Sequence, residues 1–346
     1  MTIAPHPLVT TARRLATEVL APRAERVDQD GMPASSVEAV KRSGLLGVAA
    51  PLAYGGSAAP ATVVRETAEI LAGACCSTWF VQTQHHTPVA TLTGCEGPVR
   101  ERLLGPLARG ELLSGVAYAH LRSYPRMPVR VTREGDGWRF DGRVPWYTGW
   151  GLNDVMLLAG VTEGGEVVFA FTGAREQPGL RASEPMRLAA LTASRTVSLE
   201  LDGLWLPEDS VALRKPYEEW ALTDRAKTVE ASPAVFGVTE AALALLDEGT
   251  AGPLRTRLEE VRSGAYELAD RSAAGEHLAE RLALRIRAAE LMRTATTAAV
   301  VAGGGRSLSL AGTAQRLARE ALFLLVQGQT VRSRAAHLET LVADAC

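Results

Sequence analysis

From Leu8 to about Arg109, apolar residues recur at helical spacing. "LVTTARRLATEVLAPRAERVD" predicts an amphipathic helix interrupted at Pro22. "SSVEAVKRSGLLGV" predicts a second helix, opened by serines suited to capping and closed by Gly44 and Gly47. The turn-rich "APLAYGGSAAPAT" leads into "VVRETAEILAGACCSTWFVQTQHHTPVATLTG", a long, largely buried helical segment with a break near Pro88. From about Ser114 the pattern changes. "SGVAYAHL", "VRVTREGDGWRFDGRVPWYTG", "DVMLLAGVTEGGEVVFAFTG" and "SRTVSLELDGLWLPEDSV" alternate apolar with polar residues. The turn pairs "GDG", "EGGE" and "DG" punctuate them, as in antiparallel strands and hairpins. Trp138 and Trp205 read as core of this β region. Helical spacing returns after Leu213 in four blocks of bundle-like length, with Arg287, Glu290 and Arg293 on the solvated side of the third. The expected architecture is mainly α with a central β domain: a helical domain over 1–113, an antiparallel β domain over 114–213 and a helical bundle over 214–346.

Composition narrows the partners rather than the fold. With Lys+Arg 37 against Asp+Glu 39, the 346-residue chain carries a formal charge of -2, which argues against nucleic acid or an anionic membrane as partner. No run approaches the about 20 apolar residues of a membrane span, and no basic leader precedes an apolar stretch, so a cytoplasmic protein is expected. Cys75, Cys76, Cys95 and Cys346 have neither metal-ligand nor disulfide spacing. The first three read as buried apolar residues, the last as a tail thiol, and no metal is expected.

One stretch stands out chemically. Aromatic residues make up 5% of the chain, yet "VPWYTGWG", Val144 to Gly151, holds Trp146, Tyr147 and Trp150 around a threonine. A ring and a hydroxyl two residues apart on one strand face suit a flat ligand with a polar edge, and glycines let backbone come close. The α, β, α order and four motifs resemble the acyl-CoA dehydrogenase superfamily: "GLLGVAAPLAYGG", "GWRFDGRVPWYTGWG", "PMRLAALTASRTVSLELDGLWLPEDSV" and "RLAREALFLLVQGQT". The resemblance covers nearly the whole chain. It implies an N-terminal helical domain, a β-barrel-like middle and a four-helix bundle. It also implies a flavin with Trp146 against its ring system and Thr148 hydrogen-bonded to it, and cofactor contacts from Arg319 and Thr330.

The sequence departs from the family where the family keeps its base, a glutamate that removes the α-proton of an acyl thioester. The two matched positions hold Gly328 and Lys227. Glu230 and Asp224 lie about one helical turn from the second; each reads either as a displaced base or as a surface or capping carboxylate. In place of the family's diphosphate loop stands "AYAHLRSYPRMP", with His120, Arg122 and Ser123 as candidate contacts; His120 is a tentative catalytic group beside the flavin. Tyr118 is a candidate cofactor contact, with packing as its other reading. His85 and His86 fall on the substrate side, Trp79 and Trp150 as pocket walls. The Arg-x-x-x-Phe-Gly motif is absent and "AGGGRS" only partly resembles the Gln-x-x-Gly-Gly loop, so FAD is the expected cofactor and reduced flavin mononucleotide (FMN) its alternative.

Three functions remain open on these residues. The first is oxidation of an acyl thioester, on coenzyme A or a carrier protein, at Cα–Cβ. The second is a two-component flavin-dependent monooxygenase of the same fold, which needs no α-proton base. The third is a flavin-free binding scaffold. The resemblance also implies a homodimer or homotetramer and an electron-acceptor protein or oxygen as oxidant.

Overall fold

Prolines, glycines and one extended cysteine, rather than a change in apolar spacing, decide where the helices break. The computed structural model describes residues 4–343, and Cys346 lies outside them. The first third forms α1 (Pro7–Leu15), α2 (Ala24–Asp30), α3 (Ala34–Arg42), α4 (Ala61–Ala74), α5 (Cys76–Gln84), α6 (His86–Thr93) and α7 (Pro98–Ala108). The α-helix is interrupted around Pro22, as expected, although the chain stays helical. A π turn over Ala16–Leu20 and a 3-10 turn over Ala21–Arg23 carry it into α2, and a proline at the start of a turn has no lost N–H bond to make good. α3 starts behind Pro33 with no side-chain cap, so Ser35 and Ser36 lie inside the helix. It stops before Gly44, which takes the left-handed φ of 76°. The long third segment breaks at Cys75, extended at φ -158°, and again at His85. Pro88 sits in the first turn of α6, where helices tolerate it.

The middle third forms one sheet of β1 (Ser114–Ala117), β2 (Val129–Glu134), β3 (Gly137–Tyr147), β4 (Val155–Val161), β5 (Glu166–Gly173), β6 (Leu180–Ala182), β7 (Val197–Pro207) and β8 (Val211–Pro216). Strand order is β6-β7-β3-β2-β4-β5-β8, with β1 beside β4. Most pairs are antiparallel, but β1 and β2 each meet β4 in parallel. Gly135 and Gly165 make the β2–β3 and β4–β5 turns at positive φ. Asp202-Gly203, expected to turn a hairpin, instead lies within β7. There Gly203 N–H donates to Asp141 Oδ1 at 2.8 Å opposite a register shift in β3, which marks a bulge. Trp138 is core as expected. Trp205 is 43% exposed and lies over Gly137, where a Cβ would come within 2.6 Å of its ring.

The last third forms α8 (Tyr217–Thr228), α9 (Pro233–Leu243), α10 (Glu248–Arg271), α11 (Leu278–Gly303), α12 (Thr313–Val326) and α13 (Val331–Ala343). Two of the four expected blocks are therefore split. Pro233 forces a new start for α9, and Gly328, at φ 62°, turns the chain between α12 and α13. α9 is buried from Ala234 to Thr239 and crosses α4 at Gly73 and Gly237, where a Cβ on Gly237 would lie 2.1 Å from the Glu69 carbonyl oxygen. One apolar cluster runs from Leu71, Cys75, Cys76 and Trp79 through Phe236 to Met292, Leu317 and Leu324. The N-terminal helices and the bundle thus share a core, and the sheet's own core lies apart.

Buried ions link the same two regions. Arg316 donates to both Glu320 carboxylate oxygens, at 2.8 and 2.9 Å, and to Glu25 on α2. Arg319 on the next turn pairs with Asp28, also on α2, and donates to the Ala189 carbonyl at 3.1 Å.

Candidate functional site

The end of β3 presents the ring that the sequence singled out, while the hydroxyl expected on the same face lies just past the strand and is buried. Tyr147 points into the sheet's core, fully buried, and its hydroxyl accepts from Asn153 Nδ2 at 2.9 Å. Alternation therefore turns Trp146 outward, leaving it 54% exposed. Beyond the strand, Thr148 is buried, and its hydroxyl begins a chain through Thr196 (3.1 Å) to Ser194 (3.0 Å). Gly149 sits at φ 88° against the Asn153 side chain, with no room for a Cβ. Trp150 is half-buried and meets Tyr147 edge-on, centroids 6.1 Å apart.

The predicted substrate-side residues lie deeper. Trp79 is buried among the N-terminal helices, and its Nε1 has no hydrogen-bond partner. Beside it Phe80 packs edge-on against Phe323 at 4.6 Å, so α5 and α12 close on each other. His85 donates from Nε2 to the Leu107 carbonyl at 3.2 Å and accepts the Ser114 N–H at Nδ1, 3.1 Å. Burial, helped by His86, pushes its pKa down to about 3. His86 is half-buried against the Gln82 amide at 2.7 Å, and burial pushes it down to about 4. His120 donates from Nε2 to Ala159 O at 2.9 Å, with Nδ1 unpartnered; burial lowers it to about 4 against the pull of that bond. All three are neutral imidazoles inside the protein. Tyr118 packs edge-on to Phe169 at 5.8 Å.

The two candidate base positions and the nearby carboxylates do come together. Adjoining clefts of about 320 and 350 Å3 lie between α8, α9, α11 and the α12–α13 turn, sharing Arg122, Thr228, Gln329 and Ser333. Lys227, Glu230 and Gly328 line the first; Asp224 and Thr330 line the second. Neither carboxylate is free. Arg122 grips Asp224 through two bonds of 2.8 Å, and Arg281 pairs with Glu230. Arg281 is itself buried, and its other donors go to the Glu276 carbonyl and to the end of α10 around Ser272. Thr330 caps α13 by accepting the Ser333 N–H at 3.2 Å. Arg319, matched to a cofactor contact, has its guanidinium taken up by Asp28, Gln315 and Ala189.

Sequence reasoning missed Arg281 and Arg285. Both belong to α11, four residues apart, on the side carrying Leu282, Ile286 and Ala289. Arginines on an otherwise apolar helix face were the available signal. The expected solvated side is real at Arg287, but Glu290 is half-buried, bonded to Arg293 and to His337 Nε2 at 2.6 Å. Among the described residues no cluster of metal-ligating side chains occurs. Cys75, Cys76 and Cys95 are buried free thiols whose pKa values burial raises.

Comparison with known proteins identifies the N-terminal domain and the fold. Residues 6–111 match the acyl-CoA dehydrogenase N-terminal domain. The chain superposes on butyryl-CoA dehydrogenase from Megasphaera elsdenii with a TM-score of 0.83 at 16% identity, over 99% of this chain and 100% of that one. Residues 6–111 thus carry an acyl-CoA dehydrogenase N-terminal domain, and the whole chain has the acyl-CoA dehydrogenase fold. Dibenzothiophene monooxygenase from Paenibacillus sp. A11-2 shares this fold (TM-score 0.79, 17% identity, 98% of both chains). The 3-sulfinopropanoyl-CoA desulfinase of Paraburkholderia xenovorans (strain LB400) is 27% identical over 167 residues, 46% of this chain and 42% of the relative, so the match spans less than half of that protein.

A glutaryl-CoA dehydrogenase from Mycobacterium smegmatis with the same fold (TM-score 0.81, 17% identity, 98% of this chain and 94% of that one) is in complex with FADH2. The ring end of such a cofactor fits what β3 offers here, an outward indole beside a buried lane of hydroxyls at Thr148, Thr196 and Ser194. Where the sequence lacks a small-residue loop, a 3-10 turn over Ala119–Ser123 stands, and its Arg122 is already taken up by Asp224.

Proposed function

We propose that the protein is a flavin-dependent oxidoreductase acting on an acyl thioester, carried by coenzyme A or by a carrier protein. The observation that supports this most is the outward Trp146 beside Thr148, an apolar face next to a hydroxyl on a rigid strand end. Trp146 would lie on the ring system and Thr148 would hydrogen-bond its polar edge. FAD, with FMN as the alternative, would supply the hydride acceptor for the Cα–Cβ oxidation. The names of two relatives, butyryl-CoA dehydrogenase and 3-sulfinopropanoyl-CoA desulfinase, favour a coenzyme A thioester.

Asp224 and Glu230 are the carboxylates of the clefts, and each is engaged by an arginine. Either one acts as base only if substrate draws its arginine away. That observation favours a second reading, the two-component monooxygenase, whose chemistry asks for no α-proton base. The flavin-free scaffold is the third. No helix among the described residues is long and apolar enough to cross a membrane. Exposed Leu308, Leu310, Leu322, Val326 and Val331 support a homodimer or homotetramer.

The visible spectrum of the purified protein, followed by anaerobic addition of acyl-CoA thioesters, separates the readings. Oxidised-flavin bands that bleach with a thioester support the dehydrogenase; bands that never bleach favour the monooxygenase; no flavin after reconstitution leaves the scaffold. In a flavin-binding protein, Trp146→Ala weakens flavin binding by about tenfold, the loss of one well-placed aromatic face. Titration of the apoprotein followed by flavin fluorescence measures it, and unchanged affinity removes Trp146 from the site.

A further inference from the structure

The first cleft, of about 320 Å3, has more positive charge than its carboxylates can balance. Arg122, Lys227 and Arg285 line it, and Glu230 is its one acid. Glu230 is committed to Arg281, and the nearby Asp224 to Arg122. Arg285 has no carboxylate partner among the described residues. Its guanidinium reaches the Thr228 carbonyl and, at 2.8 Å, the Gln327 carbonyl. Those neutral acceptors, at the ends of α8 and α12, fix where the group stands without cancelling its charge. Burial first, and then the neighbouring Arg122 charge, pull the Arg285 pKa below its ordinary value. A half-buried cation beside a second cation costs free energy unless an anion joins it. Lys227, exposed at the rim, carries no ion pair either.

Where this cation stands matters as much as its charge. Gly328 and Lys227, the positions matched to the family's two base sites, line the same cleft. Neither position holds an acid, and the cleft they line carries an arginine fixed between two helix ends. An arginine fork suits planar oxyanions, and a space of this size suits a short acyl chain better than a nucleotide.

We propose that the first cleft binds a second acidic group on the acyl moiety, a carboxylate or an oxyanion of similar shape at the end of a short chain, with Arg285 as its principal partner and Lys227 at the rim. This rests on the thioester reading above and narrows it to an acidic acyl group. Arg122 keeps Asp224 and contributes field rather than a direct bond.

The test is isothermal titration of the flavin-loaded, full-length protein with glutaryl-CoA and valeryl-CoA, thioesters of equal chain length that differ in the terminal carboxylate. Their coenzyme A phosphates are identical, so the ratio of affinities reports the acyl end alone. The expected result is about tenfold tighter binding of glutaryl-CoA, the contribution of one charge-assisted contact, with the ratio shrinking at high salt. Lys227→Gln, at an exposed position, reduces the ratio; Arg285→Gln brings it to one; Arg285→Lys, which keeps a cation, retains part of it. Equal binding of the two thioesters overturns this proposal alone. A preference that survives Arg285→Gln also overturns it, as does a variant that weakens both thioesters equally, which would make the arginine a phosphate or packing residue. Failure of both thioesters to bind overturns this proposal and the thioester reading together.

Discussion

Glu320→Gln lowers the unfolding free energy by about 3–5 kcal/mol, the usual cost of breaking a buried pair and stranding its partner. Glu320 is 2% exposed and Arg316 3%. Glutamine keeps the shape but not the charge, leaving Arg316 with Glu25 as its remaining carboxylate, across the interface with α2. Burial works against the arginine's charge and the Glu320 and Glu25 carboxylates raise its pKa, so loss of Glu320 leaves a buried cation whose desolvation is opposed mainly by Glu25. Urea unfolding followed by circular dichroism measures the change. Replacing both partners by methionine recovers much of the stability, because no isolated charge is then left inside. A loss under about 1 kcal/mol would put the pair in the class of solvated surface bridges.

Stability falls steeply as the pH drops below the ordinary imidazole value of 6.5. His85, His86 and His120 are held neutral in the fold, with pKa values of about 3, 4 and 4 against that 6.5. Between the folded and the ordinary values the unfolded chain binds protons that the folded chain refuses. Stability from these sites is therefore complete above the ordinary value and is lost on acidification through that window. A tenfold difference in proton affinity between folded and unfolded imidazole corresponds to about 1.4 kcal/mol, so His85, fully buried and lowered furthest, is the strongest contributor. Unfolding free energies at about pH 7.5 and about pH 5, on either side of the free imidazole value, are expected to differ by several kcal/mol in the wild type. In His85→Gln the difference is smaller, at some cost to stability at the higher pH. A pH-independent stability over that range would mean that these imidazoles are charged in the folded protein.

How much of this was legible beforehand follows from what kind of signal each feature leaves. The α, β, α order was visible because periodicity survives along whole elements, and the "WYT" strand end was visible because aromatic residues are otherwise sparse. Helix breaks were less so. Pro88 looked decisive and is absorbed by first-turn geometry, whereas Cys75, which breaks a helix by going extended, carries no local mark. The Asp202-Gly203 pair reads as a hairpin until pairing with β3 shows that it is a bulge within β7. At the site, Lys227, Gly328, Asp224 and Glu230 could be placed by register. The arginines that neutralise or surround them could not, since Arg122 comes from the turn after β1 and Arg281 and Arg285 from α11, two places whose proximity is a tertiary fact. His85, His86 and His120 were equally ambiguous, because sequence cannot tell a histidine facing a pocket from one closing a core.

The crossing of α4 and α9 at Gly73 and Gly237 separates inheritance from cooperativity. Residues 6–111 match a family domain as a unit, yet their apolar face is completed by Phe236, Val238, Met292 and Leu317 from far along the chain. Cut out alone, that segment would present its closest-packed helix surface to water and have little reason to stay folded. What descends as a module melts together with the bundle, so damage at one end of the chain is felt at the other.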